Sequence, residues 1–251
     1  MSHRAHDYRF LVARWRAVAK KAGVPLRRLT RADGYDLFSL RTPALAETGG
    51  IYVSAGIHGD EPASTEALIT WAETQGRHLA KLPLFLLPCL NPWGLVTNRR
   101  NNKDELDLNR SFHLDNLPVV TAVKQLAAPY QFDAALMMHE DYDGQGVYLY
   151  EVQRLRPYLG EALLTAARAH LPTDPRPRID GRKVLNGVYR RRLHWKRFDK
   201  IGYPEAIWLH LEHSARSITV ETPSEFALER RVGAQMAMLD ELVRLVPRSG
   251  P

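Results

Sequence analysis

The chain of 251 residues is long for one domain and short for two, and its hydrophobic fraction of 45% and charged fraction of 25% are ordinary for a globular protein. No apolar run approaches the roughly 18 residues that a membrane-spanning helix needs, so nothing in the sequence suggests an integral membrane protein. The formal net charge of +7 leaves open a nucleic-acid partner, an anionic small substrate or a solvated basic surface.

The first predicted element is an amphipathic helix over residues 6–22, where apolar residues recur at helical spacing between basic ones. A signal peptide would instead show an unbroken apolar core of about 7–15 residues. A transit peptide is an alternative, but a helix docked on the core is favoured. Residues 1–30 are therefore predicted to be an N-terminal helix and linker docked on a single domain spanning residues 1–251. Because Cys89 is the only cysteine, no internal disulfide is possible, and we expect a cytoplasmic protein.

Short apolar segments rich in β-forming residues alternate with helical patterns along the chain. The predicted strands are Asp36–Arg41, Ile51–Ile57, Leu84–Cys89, Ala134–His139, Val147–Glu151 and Ser217–Glu221. The predicted helices after the first are Pro62–Gln75, Val119–Ala128, Pro157–His170 and Glu225–Val246, with Ser224 as the N-cap of the last. This alternation predicts an α/β fold: a single domain with a mixed, mostly parallel central sheet and helices on both faces.

Much of the positive charge lies in a basic stretch between Arg176 and Lys200. Its core is Arg190-Arg191-Arg192 followed by His194, Trp195, Lys196 and Arg197. Basic residues interleaved with aromatic ones can bind nucleic acid, attract an anionic substrate or form a solvated rim. Nucleic acid is the least favoured of the three, no membrane partner is expected, and the oligomeric state stays open.

The first candidate site lies between a predicted strand and a predicted helix. The run from Ile51 to Pro62 places His58 and Glu61 at the carboxyl end of a strand, where sites in α/β folds collect. An imidazole and a carboxylate with two residues between them can bind one metal ion, and zinc accepts both ligand types. The spacing also fits a buried histidine beside a helix-capping carboxylate, so both interpretations stay open at this point.

Two further strands end in residues of the same kinds. Ala134–His139 ends in a histidine, so the site would offer two imidazoles and one carboxylate if the strands are neighbours. Ser217–Glu221 ends in a carboxylate, and a glutamate beside a metal site that does not itself bind the metal can act as general base. The three strand ends together predict a hydrolytic zinc site.

These motifs, in their order and approximate spacing, resemble the functional motifs of the zinc carboxypeptidases. The matching residues are His58-Gly-Asp-Glu61, Asn91-Pro-Trp-Gly94, Arg100, Asp107-Leu-Asn109-Arg110, His139 and Glu221, which span roughly two-thirds of the chain. That family includes the murein peptide amidases, with succinylglutamate desuccinylase and aspartoacylase as more distant relatives. The resemblance implies a zinc carboxypeptidase-like fold and one bound zinc ion.

The resemblance also implies a role for each matching residue. The implied roles are zinc binding for His58, Glu61 and His139, general base for Glu221, stabilisation of the carbonyl oxygen for Arg100, binding of the substrate carboxylate for Asn109 and Arg110, and orientation of His58 for Asp107. A guanidinium group suits a carboxylate or an oxyanion because it is a fixed charge with planar donors. For Arg110 the alternative is an ion pair with an internal Asp or Glu.

Other features are open to more than one interpretation. Peptide-cleaving members of the family carry a tyrosine that closes over the substrate; Tyr203 is the nearest candidate, with an ordinary Gly-Tyr-Pro turn as the alternative. The acidic run Glu140–Asp143 is interpreted as a solvated loop, although it would also suit a basic substrate. His210 and His213 have the spacing of a second metal site but are interpreted as a surface feature.

The predicted function is zinc-dependent hydrolysis of an amide bond next to a residue with a free carboxylate, in a peptide or murein peptide. The alternative is a deacylase of an N-acyl amino acid, of the desuccinylase or aspartoacylase type, which a pocket closed to peptides would favour. A metal- or nucleic-acid-binding protein without catalysis is the third hypothesis, and the complete set of matching residues argues against it. No residue is assigned to a specificity pocket.

Overall fold

The centre of the molecule is an eight-stranded mixed sheet. The computed structural model describes residues 4–190, 193 and 202–246. Its strands are β1 Leu26–Ala32, β2 Tyr35–Arg41, β3 Ile51–Ala55, β4 Leu84–Leu87, β5 Ala134–Asp141, β6 Tyr148–Gln153, β7 Arg178–Ile179, β8 Arg182–Lys183, β9 Val188–Arg190 and β10 Arg216–Pro223. The sheet order is β1-β2-β4-β3-β5-β10-β6-β9, and β7 and β8 form a separate hairpin. The central pairs β4–β3, β3–β5 and β5–β10 are parallel, as is β6–β9, which confirms the predicted fold class.

Helices cover both faces of the sheet. They are α1 Tyr8–Ala22, α2 Pro62–Gln75, α3 Pro92–Thr97, α4 Pro118–Ala127, α5 Gly160–Ala167, α6 Glu205–Glu212 and α7 Leu228–Leu245. Helices α1, α2, α5 and α7 contribute to the apolar core on one face, whereas α4 and α6 contribute to the core on the other. Along β5, Leu136 faces the first core and Met137 the second, as strand alternation requires. Because the central strands are buried on both faces, their sequences are nearly continuous runs of apolar residues.

Helix α1 packs on the first core. Its buried residues are Tyr8, Leu11, Trp15, Val18, Ala19 and Ala22. The Asp7 side chain caps its start by accepting a hydrogen bond from the Phe10 amide at 2.9 Å, and Gly23 ends it in the left-handed conformation. The segment after α1 is not a linker up to residue 30, because Leu26–Ala32 form β1 and pair antiparallel with β2.

The differences from the predicted elements have local causes. Strand β1 escapes prediction because it is an edge strand with an irregular register between Arg28 and Thr30 and no clean alternation of burial. The predicted cap of the last helix is wrong: α7 begins at Leu228 after Ala227, and the Ser224 amide instead donates to the Asp141 carbonyl. Short helices such as α3 carry too few periodic positions to be recognised from sequence.

Two further predictions concern membrane-spanning helices and the basic stretch between Arg176 and Lys200. None of the described helices is long and apolar enough to cross a membrane. The part of the basic stretch from Arg191 to Lys200, apart from Leu193, lies outside the described residues. Arg190, the first residue of the core of this stretch, ends β9 and forms ion pairs with Glu151 and Glu161.

Candidate metal centre and substrate cavity

The parallel strands β3 and β5 bring the two candidate histidines together. The last paired residues of these strands are Ala55 and Met138. After β3 the chain turns at Gly56, whose φ of +61° lies in the left-handed region, and then presents His58. His139 lies on β5, one position beyond the last pair. The carboxyl ends of the two strands therefore meet at one edge of the sheet.

His58, Glu61 and His139 form one buried cluster. Nδ1 of His58 lies 2.6 Å from Oε1 of Glu61, and Nδ1 of His139 lies 2.8 Å from Oε2 of the same carboxylate. The candidate ligand atoms all lie within 4.8 Å of one another. Within the part of the chain that the structure describes, no other three His, Cys, Asp or Glu side chains are grouped in this way. Two imidazole nitrogens and a carboxylate are a donor set that zinc accepts.

Asp107 and Arg100 support this cluster from one side. Oδ1 of Asp107 lies 3.2 Å from Nε2 of His58, the ring atom opposite the one that faces Glu61. Oδ2 of Asp107 accepts hydrogen bonds from Nε and Nη2 of Arg100 at 3.3 and 3.1 Å. Nη1 of Arg100 lies 3.7 Å from Oε1 of Glu61. Asp107 is thus placed to hold the His58 ring with its Nδ1 atom toward Glu61, the usual arrangement of a buttressed metal ligand.

The charges of the cluster shift pKa values in opposite directions. Burial alone would lower the pKa of His58, but the Glu61 and Asp107 carboxylates outweigh burial and raise this pKa to about 9. Burial alone would raise the pKa of Glu61, but His58 and His139 hold it well below its usual range. The pKa of Asp107 is lowered in the same way, because its contacts with His58 and Arg100 outweigh partial burial. The cluster is therefore a set of compensating charges.

The motif Asn91–Gly94 holds the loops that carry His58 and Arg100. The Asn91 side chain caps α3 by accepting a hydrogen bond from the Gly94 amide at 2.9 Å, and it donates to the Arg100 carbonyl at 3.2 Å. The loop after His58 passes so close to this turn that a Cβ atom on Gly59 would lie 1.9 Å from the Gly94 carbonyl carbon. Gly59 is therefore required by close backbone contact rather than by a positive φ.

Glu221 lies beside the cluster on β10. It is in register with His139 of β5 on one side and Tyr148 of β6 on the other, and its side chain faces the same cavity as the cluster. Burial raises its pKa to about 8; His139 opposes this rise and Glu61 adds to it. Glu221 does not belong to the group of three candidate ligands. A carboxylate with a raised pKa at this place has the position of a general base.

Asn109 and Arg110 line the same cavity. Oδ1 of Asn109 accepts a hydrogen bond from the Glu205 amide at 2.9 Å, and Nη1 of Arg110 donates to the Asn109 carbonyl at 2.8 Å. The buried Glu205 carboxylate is itself anchored by the hydroxyls of Tyr52 and Ser54, at 2.5 and 2.9 Å. No carboxylate of the described residues lies within 4.0 Å of the Arg110 guanidinium. The alternative role of Arg110, an ion pair with an internal Asp or Glu, therefore has no partner among the described residues.

The cavity has a volume of about 470 Å³, the size of many small-ligand sites. The wall facing the candidate ligands includes residues that sequence reasoning missed: Tyr148, Tyr150 and Val152 of β6, Tyr189 of β9, and Asp180 and Arg182 of the β7–β8 hairpin. The Tyr150 hydroxyl donates to Asp180 at 2.7 Å and so ties the hairpin to the sheet. The alternation of β6 is the signal that indicates its tyrosines share a face, whereas two-residue strands give no such signal.

Tyr203 is not among the described residues that line the cavity. Its ring packs near His113, with 5.7 Å between ring centroids, and against the core on the α6 face. Its carbonyl accepts a hydrogen bond from the Phe112 amide at 3.0 Å. The tyrosines on the cavity wall are instead Tyr148, Tyr150 and Tyr189. The substrate-closing role of Tyr203 stays a prediction.

The acidic run after His139 is not a solvated loop at its first residue. The Glu140 side chain is fully buried, accepts a hydrogen bond from the Ala63 amide at 2.8 Å at the start of α2, and pairs with Arg231 of α7. Burial raises the pKa of Glu140 to about 7, against the opposing effect of Arg231. Glu140 therefore fixes the strand that carries His139 to two helices.

The rival histidines are buried, so their interpretation as a surface feature is wrong, but they do not form a metal site among the described residues. Nδ1 of His213 lies 2.9 Å from the Tyr130 carbonyl. His210 contacts Arg154, and burial together with this guanidinium lowers the pKa of His210 to about 4. The two imidazole rings therefore have different partners, Arg154 for His210 and the Tyr130 carbonyl for His213.

Comparison with protein families gives one match. Residues 47–154 match the model of the succinylglutamate desuccinylase/aspartoacylase catalytic domain. This span begins before β3 and ends after β6, so it includes all three residues of the buried cluster. No curated protein sequence matches the chain.

Solved structures share the fold over nearly the whole chain. A provisionally assigned metallopeptidase from Shewanella amazonensis SB2B is 21% identical, with 98% of this chain and 95% of that chain covered and a TM-score of 0.85. A metallo-carboxypeptidase from Burkholderia cenocepacia is 18% identical, with coverages of 93% and 67% and a TM-score of 0.67. Murein-tripeptide amidase MpaA from Escherichia coli O157 is 20% identical, with coverages of 91% and 96% and a TM-score of 0.59. These likenesses, together with the family match, confirm the resemblance that the motifs indicate.

Proposed function

We propose that this protein is a zinc-dependent hydrolase that cleaves an amide bond next to a residue with a free carboxylate, in a peptide or murein-peptide substrate. One observation carries the proposal. The cavity that contains the buried His58, Glu61 and His139 cluster also exposes Arg110, a guanidinium with no described carboxylate within 4.0 Å. A metal-binding donor set and an available anion-binding group in one cavity suit a substrate that carries both a scissile carbonyl and a carboxylate.

The donor set fits zinc on the chemistry of its atoms. Both imidazoles turn Nδ1 toward the Glu61 carboxylate, and the His58 ring has a separate partner, Asp107, for Nε2. A proton on Nε2 leaves the Nδ1 lone pair for a metal, which is how a carboxylate fixes the tautomer of a ligand histidine. His58, Glu61 and His139 would hold the ion, and a bound zinc ion would supply Lewis-acid polarisation of the carbonyl and a lowered pKa for water.

The remaining chemistry belongs to side chains of this chain. Glu221 accepts a proton from the attacking water as the water oxygen bonds to the carbonyl carbon, and it returns that proton to the nitrogen as the carbon–nitrogen bond breaks. Its pKa of about 8 suits a group that must both take and give a proton near neutral pH. Arg100 lies 3.7 Å from Glu61 and offers its guanidinium to the negative charge that develops on the carbonyl oxygen.

The anion-binding pair selects which amide is cut. Asn109 is fixed through its Oδ1 by the Glu205 amide, so its side-chain nitrogen is available as a donor. Arg110 adds a charged, planar donor beside it. A carboxylate held by this pair places the adjacent amide at a constant distance from the cluster, which favours cleavage next to a terminal residue.

The test compares hydrolysis of paired substrates by the zinc-loaded protein. Each N-acyl dipeptide with a free terminal carboxylate is matched with the same dipeptide as its terminal amide. We expect the free acid to be cleaved with at least about tenfold higher kcat/KM, because amidation removes a charge-assisted interaction. Equal values for the two members of a pair would contradict the proposal.

The family match favours a second candidate, a deacylase of N-acyl amino acids. Residues 47–154 match a catalytic domain of that kind, and a cavity of about 470 Å³ accommodates a small acyl amino acid. Such a substrate also carries a free carboxylate, so Arg110 serves both candidates. Extending the substrate by one residue on the acyl side separates them: a peptidase keeps its kcat/KM, whereas a deacylase loses it.

A further inference from the structure

Helix α7 contacts the strand ends that carry the candidate active groups, although none of its residues lines the cavity. Two of its residues, Arg231 and Gln235, are four positions apart and so lie on one face of the helix. Arg231 is the residue that pairs with Glu140 of β5, directly after His139. The face formed by Arg231 and Gln235, here called the α7 brace, therefore meets the sheet at the end of β5.

Gln235 joins two neighbouring strand ends. Its side chain is fully buried, and its Nε2 atom donates hydrogen bonds to the His139 carbonyl at 2.9 Å and to Oγ1 of Thr222 at 2.8 Å. Thr222 follows Glu221 on β10, and its hydroxyl lies 3.4 Å from the same His139 carbonyl. His139 and Glu221 are register partners on the parallel strands β5 and β10. One amide group therefore holds both a candidate metal ligand and the neighbour of the candidate general base.

Arg231 extends the brace toward a second candidate ligand. Its partner Glu140 is buried and accepts a hydrogen bond from the Ala63 amide at 2.8 Å. Ala63 is the second residue of α2 and lies two positions after Glu61. From one turn of α7, contacts therefore reach the segments that carry two of the three candidate ligands and the candidate general base.

The brace is a polar exception on the buried side of its helix. The other buried residues of α7 are Ala234, Met238, Leu239 and Leu242, all of which belong to the apolar core. A buried polar side chain costs free energy unless it is bonded, and an apolar one could fill the same place. What distinguishes Gln235 is its partner, the carbonyl of His139.

We propose that the α7 brace positions His139 and Glu221, so that Gln235 and Arg231 act in zinc binding and in proton transfer without touching the ion or the substrate. A ligand whose backbone is already fixed loses less conformational freedom when the ion binds, so binding is tighter. The bond to Thr222 keeps Glu221 at a constant distance from that ligand. The inference rests on the proposed function and adds positioning residues to the same site.

The test compares the zinc affinity of Gln235→Met with that of a control on the same helix. Methionine has nearly the length of glutamine but no donor, so the His139 carbonyl loses its bond while the space stays filled. We expect the dissociation constant for zinc, measured by competition with a chelator, to rise about three- to tenfold, the range of one neutral hydrogen bond.

The matched control is Met238→Ala. This position is fully buried in the apolar core one turn further along α7, and the substitution leaves a cavity there. Met238→Ala should lower the melting temperature of the zinc-free protein at least as much as Gln235→Met does. Its dissociation constant for zinc should nevertheless stay unchanged, because the cavity weakens the helix without releasing His139.

Kinetics give a second readout. At saturating zinc, Gln235→Met should lower kcat about three- to tenfold and leave KM unchanged, because the variant loosens Glu221 but not the carboxylate-binding Arg110. Arg231→Lys keeps the charge that faces Glu140, so it should retain more zinc affinity and more kcat than Arg231→Gln.

The outcomes separate this inference from the proposed function. If Gln235→Met weakens zinc binding although no dipeptide is cleaved, the proposed function fails and the brace stands. If dipeptides are cleaved and Gln235→Met changes neither zinc affinity nor kcat, or if Met238→Ala loses as much zinc affinity, the brace is overturned. Should Gln235→Met fold poorly, Thr222→Val removes the hydroxyl that bridges Gln235 and His139, and an unchanged zinc affinity in that variant would overturn the brace equally.

Discussion

The two ends of the cavity differ in how their polar groups are satisfied. At the metal end, defined by His58, Glu61, His139 and Asp107, each side chain contacts another member at 2.6 to 3.2 Å. At the substrate end, defined by Arg110 and Ser217 of the cavity lining, no described carboxylate lies within 4.0 Å of the guanidinium and no described partner bonds the hydroxyl. The metal end is thus a self-compensating cluster, whereas the substrate end keeps its polar groups available for a ligand.

This difference determines which property a substitution at each end of the cavity should change. Removing one member of a buried, paired set leaves the other charges uncompensated, which costs about 3–5 kcal/mol in buried ion pairs. Removing Arg110 leaves no carboxylate of the described residues unpaired, so the fold should tolerate its loss. Substitutions at the metal end should therefore change metal binding or stability, and those at the substrate end should change only substrate preference.

The largest effect is expected for Glu221→Gln. The variant keeps the shape of the side chain but removes the group that accepts the proton, so kcat should fall by roughly 10²–10⁴-fold. Zinc content, measured by atomic absorption, should be nearly unchanged because Glu221 lies outside the cluster of three. Glu225→Gln, an exposed carboxylate shortly after β10, serves as the matched control. Loss of zinc together with activity would make Glu221 a ligand instead.

A smaller effect is expected for Asp107→Asn, which tests the metal end. The variant replaces the negative charge facing Nε2 of His58 with a neutral amide, so the ring is less firmly oriented and less basic. Zinc affinity, measured by competition with a chelator, should fall about 10–100-fold. Asp104→Asn changes an exposed carboxylate on the same loop and should leave the affinity unchanged. An unchanged affinity in Asp107→Asn would remove Asp107 from the metal end.

The smallest effect is expected for Arg110→Ala, and it is selective. Hydrolysis of the free-acid substrate should lose about tenfold or more in kcat/KM, while the terminal amide should be hardly affected. Arg99→Ala removes an exposed guanidinium that pairs with Glu105 and should change neither substrate. An equal loss on both substrates would indicate a damaged fold rather than a lost carboxylate contact.

Much of the metal end was predictable because its signals are local. His58 and His139 each follow a run of apolar residues, Glu221 follows an alternating strand beside them, and the carboxyl ends of neighbouring parallel strands meet by geometry. The same argument gives the α/β class. The order of the strands in the sheet does not follow from these local signals. In the observed order β10 lies between β5 and β6, which places Glu221 beside both His139 and Tyr148.

Apart from Arg110, which the motif resemblance indicated, the substrate end was hidden from the sequence because its contacts are non-local. The β7–β8 hairpin has two residues in each strand, too few for a periodic pattern, yet it carries Asp180 to the hydroxyl of Tyr150. Next to His139 of the metal end, Glu140 looked like part of a solvated acidic loop because its partner Arg231 comes from a helix 91 residues later. No local pattern distinguishes the unpartnered Ser217 from the other residues of its strand.

If the self-compensating cluster is the metal site of this protein, zinc should bind there. The most direct measurement is anomalous diffraction at the zinc absorption edge from crystals grown with zinc. We expect a single strong peak about 2.0–2.2 Å from Nδ1 of His58, Nδ1 of His139 and the Glu61 carboxylate. A strong peak elsewhere, such as between His210 and His213, with none at the cluster would contradict it.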